Sequence, residues 1–451
     1  MDHDAEIPLP DGFRLGVSTS AYQTEGAAGS RGESVWDRFL ARTSLRPEEW
    51  TVGTDHLRRM EEDLDLAAGL GAPVYRFSLS WPRVMPEGKG RARREALAAY
   101  DRLLDEALAR GLEPWPCLYH WDLPQALQER GGWRSRDTAY YLADYVEAVT
   151  ELFVGRARRV FVLNEPNVHA VLGHLAGVHA PGLTDLEAFA GAVHHQNLAT
   201  GMAVARLREA LPGAQVGTIV MVQPVQPAGQ GEDHEAAAAL ADAAFNRAFL
   251  DPLFGKGYPE PLDAMVEALV REGDLAEVAR PVDVLGVNYY TRLRVRADPE
   301  SPAGLVLAEA PSGAETTAMG WEVYPQGLHE VLVRLRDAYP GVSLAVTECG
   351  AAFEDRPKPS GRVEDEQRAR FLVSHLRAAL AAREAGCQVD AFLAWTLVDN
   401  LEWTDGFRRR FGLVRLEPET LRRLPKLSYD VMREVAASGK VPPPDELREW
   451  A

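Results

Sequence analysis

The chain has 451 residues, 46% of them hydrophobic and 26% charged, enough apolar material for a large core and too much for a mainly disordered chain. Its net charge of −18 disfavours nucleic acid as the main partner and favours a neutral ligand over a phosphorylated one. Three cysteines, Cys117, Cys349 and Cys387, are too few and too scattered for a disulfide framework or a zinc site, which fits a reducing compartment.

The N-terminus MDHDAEIPLPDG is acidic and has neither the basic nor the apolar region of a signal peptide. No apolar run is long enough to span a bilayer. A cytoplasmic location, with no membrane partner, is therefore expected. The length alone would allow two or three domains, but no solenoid repeat and no Gly/Ser- or Pro-rich linker divides the chain. One catalytic domain over 1–451 is expected, with a core at about 13–437, a short acidic N-terminal arm and a C-terminal tail.

In chain order, short apolar runs rich in β-branched and aromatic residues alternate with amphipathic stretches. The runs are FRLGVS (13–18), PVYRFSLS (73–80), EPWPCLYH (113–120), RVFVLNEP (159–166), QVGTIVMV (215–222), DVLGVNYY (283–290), SLAVTE (343–348) and DAFLAWTLVDN (390–400). Between them, Asp55 to Leu70 and Glu364 to Ala385 show the three-and-four spacing of helices that bury one face. Eight strand-then-helix units predict an α/β fold, a single (β/α)8 TIM barrel with its active site at the C-terminal ends of the strands. A doubly wound open sheet is the alternative, but no G-x-G-x-x-G or G-x-x-x-x-G-K-[ST] phosphate loop supports it.

Polar residues punctuate one side of these units: Gln23, Arg76, His120, Asn164 with Glu165, Asn288 with Tyr290, Glu348, and Trp395 leading to Glu402. Of six asparagines in the chain, Asn164, Asn288 and Asn400 fall in such places, which points to site geometry rather than filler. A lone glutamate at a strand end is more commonly a surface charge or a helix-start carboxylate. Two of them, Glu165 closed by Pro166 and Glu348 closed by Cys349-Gly350, could face one substrate across a barrel mouth, the arrangement that glycoside hydrolysis needs. Asn164 could donate to a sugar hydroxyl beside the acid, and Arg76 and Tyr290 are candidate donors to Glu348.

The motifs AYQTEGA (21–27), YRFSLSWPRVMPEG (75–88), HWDLPQAL (120–127), LNEP (163–166), HAPG (179–182), VNYYT (287–291), MGWEVYPQGL (319–328), TECG (347–350) and WTLVDNLEWTDGFRRRFGLV (395–414) occur in this order. With them the chain resembles family 1 of the glycoside hydrolases, the β-glucosidase family, from about Phe13 to about Tyr429. The resemblance implies that Glu165 is the acid/base and Glu348 the nucleophile of a retaining reaction. It implies that Gln23, His120, Asn164, Glu402 and Trp403 bind the sugar, that Trp395 is its stacking floor and that Trp121 belongs to the same wall. Arg76, Asn288 and Tyr290 would hold the nucleophile or its neighbours, and Trp321 would stand on the aglycone side. Few hydroxyl partners and flat aromatic faces are also what sugar recognition physically requires. Trp50, Trp115 and Trp133 are expected to serve packing or rims.

The chain departs from the family pattern in places. Cys349, a weak donor, follows the nucleophile where the family usually has Asn. Val160, Phe161, Val162 and Asn167 flank LNEP where the family commonly has Trp-Ile-Thr and Trp, a change expected to alter packing and the acceptor side. Leu57 and Arg58 replace an aromatic and a histidine and read as surface variation. The His194-His195 pair reads as packed histidines without a metal, and Arg408-Arg409-Arg410 as a solvated loop.

The expected activity is hydrolysis of terminal β-D-glucosyl residues from small glycosides, extending to fucosides or galactosides, with no cofactor and no metal. A transglycosidase on the same site and a non-catalytic sugar-binding protein on the same fold are the rivals. Phosphorylated sugars should be rejected, because Glu402 would meet their phosphate. The sequence leaves oligomeric state open.

Overall fold

A computed structural model describes residues 5–301, 303–359 and 361–449. Its centre is a closed barrel of eight parallel strands: β1 (Arg14–Ser18), β2 (Val74–Ser78), β3 (Glu113–Tyr119), β4 (Arg159–Asn164), β5 (Gln215–Met221), β6 (Val284–Tyr289), β7 (Ser343–Cys349) and β8 (Val389–Trp395). Each strand pairs with its neighbours in chain order, and β8 closes onto β1. The strands are apolar on both faces because one face looks into the barrel and the other at the helices. Val74, Trp115, Phe161, Ile219, Val284 and Leu393 fill the barrel interior as one buried cluster.

The outer ring includes α1 (Met60–Gly69), α2 (Arg94–Ala109), α3 (Asp137–Thr150), α4 (Leu186–Ala210), α5 (Glu232–Asp242, continued by a π-turn Ala243–Arg247 and by Ala248–Leu253), α6 (Pro325–Ala338), α7 (Glu366–Glu384) and α8 (Leu427–Ser438). Helix α2 illustrates the packing: Ala96, Tyr100, Leu103, Leu104 and Ala107 lie on its buried face at spacings of three and four.

Two boundaries differ most from the sequence reading. The helix expected from Asp55 starts only at Met60, because Asp55 adopts a left-handed conformation (φ 58°) and its neighbour His56 turns inward, Nδ1 lying 2.8 Å from Asp63 Oδ2. The last strand, expected to reach Asn400, ends at Trp395. Beyond it the backbone pairs with its own return: Val414 N–H donates to Leu397 O at 2.8 Å and Asp399 N–H to Val414 O at 2.9 Å.

The N-terminal ends of the strands are closed by charge. Arg159 at the start of β4 donates to both oxygens of Asp390 (3.0 and 2.7 Å) and to Gln215 Oε1, and its guanidinium lies 4.3 Å over the Trp115 ring. Arg14 joins Glu113 and Asp390 at the same end. Near the N-terminus, Ile7–Pro8 pairs antiparallel with Lys440–Val441. Among the described residues no helix is long and apolar enough to cross a membrane.

Candidate active site

The opposite end of the barrel carries the predicted residues. Glu165 follows the last residue of β4, and Glu348 is the penultimate residue of β7. Both strands slip register there. Between Phe161 and Asn164 β4 spans three residues against two of β5, and between Val346 and Glu348 β7 spans two against one of β6. Such bulges re-aim a side chain at a strand end. Pro166 then opens a short helix, Pro166–Ala170, with its fixed φ suited to a first turn.

Glu165 itself is left-handed (φ 46°), as are Trp121 (φ 71°) and Trp403 (φ 44°). These are three of the six non-glycine residues with positive φ among those described. Each such residue costs on the order of 1–3 kcal/mol and persists only where surrounding packing enforces it. Gly350, just past β7, is required by close approach, since a Cβ there would lie 1.9 Å from the Trp395 carbonyl oxygen.

Arg76 on β2 is fully buried and links the two glutamates' surroundings. Its Nη1 donates to Glu348 Oε1, and its Nη2 donates to Asn164 Oδ1 at 2.5 Å. The Tyr290 hydroxyl donates to the other Glu348 oxygen at 2.6 Å, so both oxygens of that carboxylate have a strong donor. Asn288 Nδ2 donates to Glu165 Oε1 at 2.7 Å and to Asn164 Oδ1 at 3.1 Å, while its own Oδ1 accepts from Thr347 Oγ1 at 2.7 Å.

The two carboxyls have different surroundings. Burial, followed by the nearby charge of Glu348, pushes the Glu165 pKa well above the ordinary carboxylate value, against the opposing pull of Asn288 and Arg76. Glu165 has an amide as its donor, whereas Glu348 has a guanidinium and a phenol. Burial also raises Tyr290, with Glu348 adding to the shift, so its proton stays available for donation.

The remaining predicted residues line the same mouth. His120 Nε2 lies 3.2 Å from Asn164 Nδ2, and its ring stacks near Trp395 (5.9 Å) and Trp403 (6.0 Å). Its Nδ1 is buried without a partner among the described residues, and burial lowers its pKa well below the usual range, so the ring is neutral. Trp121 Nε1 donates to Asn164 O at 2.9 Å, and its ring stacks on Trp403 at 4.7 Å. Trp321 stands on a separate wall with Tyr290 and Phe411, against which Met221 and Met319 pack. Glu402 is half-buried and has no side-chain hydrogen bond among the described residues. Burial, then Asp405 and Glu348, push it up to about 8.

Gln23 is buried, its amide donating to Leu401 O (2.7 Å) and Asn400 Oδ1 (3.3 Å) and its Oε1 accepting from Ser20 (2.5 Å). It therefore ties the Glu402 loop to the segment that follows β1. The sequence reading missed Thr347, although it lies inside TECG, and His179 of HAPG, which packs against Trp36 and Trp121. Their signal was membership of a motif; their partners are 59 and 58 or more residues away in sequence and become visible only in three dimensions.

The departures are absorbed by packing. Cys349 is fully buried, continues β7 beyond its expected end and pairs on the backbone with Tyr289 and Ala394. Val160, Phe161 and Val162 are core residues. Asn167 Nδ2 donates to Met221 O (2.8 Å) and Phe245 O (3.0 Å). His194 sits between Tyr258 (2.9 Å) and Asp274 (3.0 Å), His195 bonds the Trp133 carbonyl, and Trp50, Trp115 and Trp133 are buried. No cluster of metal-ligating side chains occurs among the described residues. Of the three successive arginines Arg408 is exposed and Arg409 and Arg410 are partly exposed, and Arg410 also donates to Asp355 O at 3.0 Å.

The sequence model described as "Glycosyl hydrolase family 1" matches residues 5–441. The chain is 41% identical to "Thermostable beta-glucosidase B" of Thermobispora bispora over 96% of its own length and 92% of the relative's. It is 37% identical to the "Bifunctional beta-D-glucosidase/beta-D-fucosidase" of Bifidobacterium breve, over 95% and 98%. Among solved structures, "Beta-glucosidase from Thermotoga maritima in complex with glucoimidazole" superposes with a TM-score of 0.91 at 35% identity, covering 96% of this chain and 99% of that one. With two buried glutamates at the strand ends of a (β/α)8 barrel and matches of this extent, the chain belongs to glycosyl hydrolase family 1 and is an O-glycosyl hydrolase of the β-glucosidase type.

Proposed function

We propose that the enzyme is a retaining β-glycosidase that removes terminal, non-reducing β-D-glucosyl residues from small glycosides. One observation carries the reading: Glu348 has a guanidinium and a phenol donating to its two oxygens, while Glu165, nearby and buried with only amide support, holds its proton. Glu348 attacks the anomeric carbon as Glu165 gives its proton to the departing oxygen, which leaves as the free alcohol and a glycosyl ester on Glu348. Ester formation removes the negative charge that had raised the proton affinity of Glu165. Glu165 then takes a proton from water, hydroxide adds to the anomeric carbon, and Glu348 is released as carboxylate.

His120, Asn164, Gln23, Glu402 and Trp403 bind the sugar over Trp395, with Trp121 in the same wall and Trp321 facing the aglycone. Asn288 and Arg76 orient the two carboxyls. Glu402 reaches the O4 and O6 hydroxyls, and its lack of a bond of its own leaves both oxygens open to them. An acceptor serves equatorial and axial O4 alike, so fucosides and galactosides are secondary substrates, in keeping with the bifunctional relative's name. The reaction needs no cofactor. The chain acts as one catalytic domain in the cytoplasm.

The test is a panel of aryl and natural β-glycosides, with the anomer formed first read by proton NMR. Release of β-glucose ahead of mutarotation is expected. First release of α-glucose, or no cleavage of any β-glycoside, overturns the reading.

A further inference from the structure

Glu402 carries no side-chain hydrogen bond among the described residues, so its place in the mouth is inherited from its backbone. That backbone is fixed behind the site. Asp399, three residues earlier and 2% exposed, accepts at Oδ1 from Gly412 N–H (2.9 Å) and from Lys426 Nζ (2.7 Å), closing the 399–412 loop on itself. Gly412 admits no side chain, since a Cβ would lie 2.2 Å from Asp399 N. Lys426 is fully buried and also bonds Asp355, whose second charge partner, Arg368, balances the group. From Asp399 the chain runs directly through Asn400 and Leu401, both held by Gln23, to Glu402.

Resting on the proposed function, we infer that the buried Lys426–Asp399 pair is a positioning device that sets Glu402 for recognition of the sugar's O4 and O6 hydroxyls. Neither residue reaches the reacting atoms. Their effect should therefore follow the substrate groups that Glu402 meets rather than the chemistry of bond cleavage. A β-xyloside lacks the exocyclic hydroxymethyl and senses Glu402 through one hydroxyl; a β-glucoside senses it through two.

The experiment compares kcat/KM for 4-nitrophenyl β-D-glucoside and β-D-xyloside in wild type, Asp399→Asn, Lys426→Met, Lys426→Arg and Glu402→Ala. Asp399→Asn keeps the shape and the Gly412 bond, so it carries the test if Lys426→Met fails to fold. Expected is a glucoside loss of about 10- to 100-fold, the worth of leaving one buried hydrogen-bonding group unsatisfied, a clearly smaller xyloside loss, the same pattern in Glu402→Ala, and partial recovery in Lys426→Arg. Equal losses on both substrates in a folded variant, or an unchanged glucoside value, overturn the inference while leaving the proposed function standing. A wild type that cleaves neither substrate takes down both.

Discussion

The two ends of the barrel are built from the same materials and do opposite things with them. At the N-terminal end Arg159 meets Asp390 with two hydrogen bonds and Arg14 meets Glu113 and Asp390, so these four charges at strand starts are paired with opposite sign. At the C-terminal end one buried guanidinium, Arg76, serves Glu348 and Asn164, and Glu165 is left with an amide. The first end is a closed account of charge that stabilises the fold. The second holds more carboxyls than cations, and burial together with the charge of Glu348 keeps a proton on Glu165. Strain follows the same division: Trp121, Glu165 and Trp403 hold left-handed backbones at the open end, while no barrel-strand residue at the closed end does.

The sharpest way to break the comparison is to delete the matched carboxylate at the open end. Glu348→Gly should lose essentially all hydrolysis, by several orders of magnitude. Azide should then restore turnover of an activated aryl glucoside and give an α-configured glycosyl azide, because it enters from the vacated face. NMR showing a β-azide, or a variant with wild-type turnover, contradicts the assignment.

Glu165→Ala should lose less, and unevenly. Alkyl glucosides, whose leaving oxygen needs the proton, should slow by about 10²–10⁴-fold. Dinitrophenyl glucoside should still form the glycosyl-enzyme readily, so that an intermediate accumulates and appears in intact-protein mass spectra. Equal losses for both leaving groups would remove Glu165 from the acid role.

Glu402 gives a third, smaller effect. Phosphate on O6 would meet this carboxyl, so an aryl 6-phospho-β-glucoside should be cleaved at least about 10-fold less efficiently than its unphosphorylated parent. Glu402 titrates at about 8, so its negative charge grows as pH rises through that value. The ratio of the two kcat/KM values should therefore widen from pH 7 to pH 9, a ratio in which the titration of Glu165 cancels. A ratio near one at every pH overturns this reading of Glu402.

The smallest expected shifts, and the most direct comparison of the ends, lie in stability. Asp390→Asn should cost about 1–3 kcal/mol, between the values for exposed and buried pairs, and change kcat/KM less than twofold. Glu165→Gln should do the reverse. Its carboxyl has a folded pKa raised above the unfolded one, so the fold loses stability as pH climbs from the ordinary carboxylate range through the raised value. Replacing it with the neutral amide removes that loss: the Tm of the variant should match wild type at pH 4 and exceed it at pH 8. A Glu165→Gln protein less stable than wild type at pH 8 would show that the excess of carboxyls is not what distinguishes this end.

The sequence by itself determined the barrel and named both glutamates, because both are written locally. Period and apolar content mark a strand buried on two faces wherever it lies, and NEP and TECG mark where two such strands stop. It also supplied Arg76 and Tyr290 as partners of Glu348. It could not say where a strand would leave the barrel: DAFLAWTLVDN reads as one run, yet it parts at Trp395 because residues 411–414 return to pair with 396–399. Nor could it find the left-handed Asp55, the bulges that aim the glutamates, or Thr347 behind Asn288. Least legible was Lys426, which lies 27 residues from Asp399 in a segment with no chemical signature. Charge balance in a buried site is a sum over groups brought together from distant parts of the chain. Only tertiary structure could decide that Arg76 would serve one glutamate and leave the other to keep its proton.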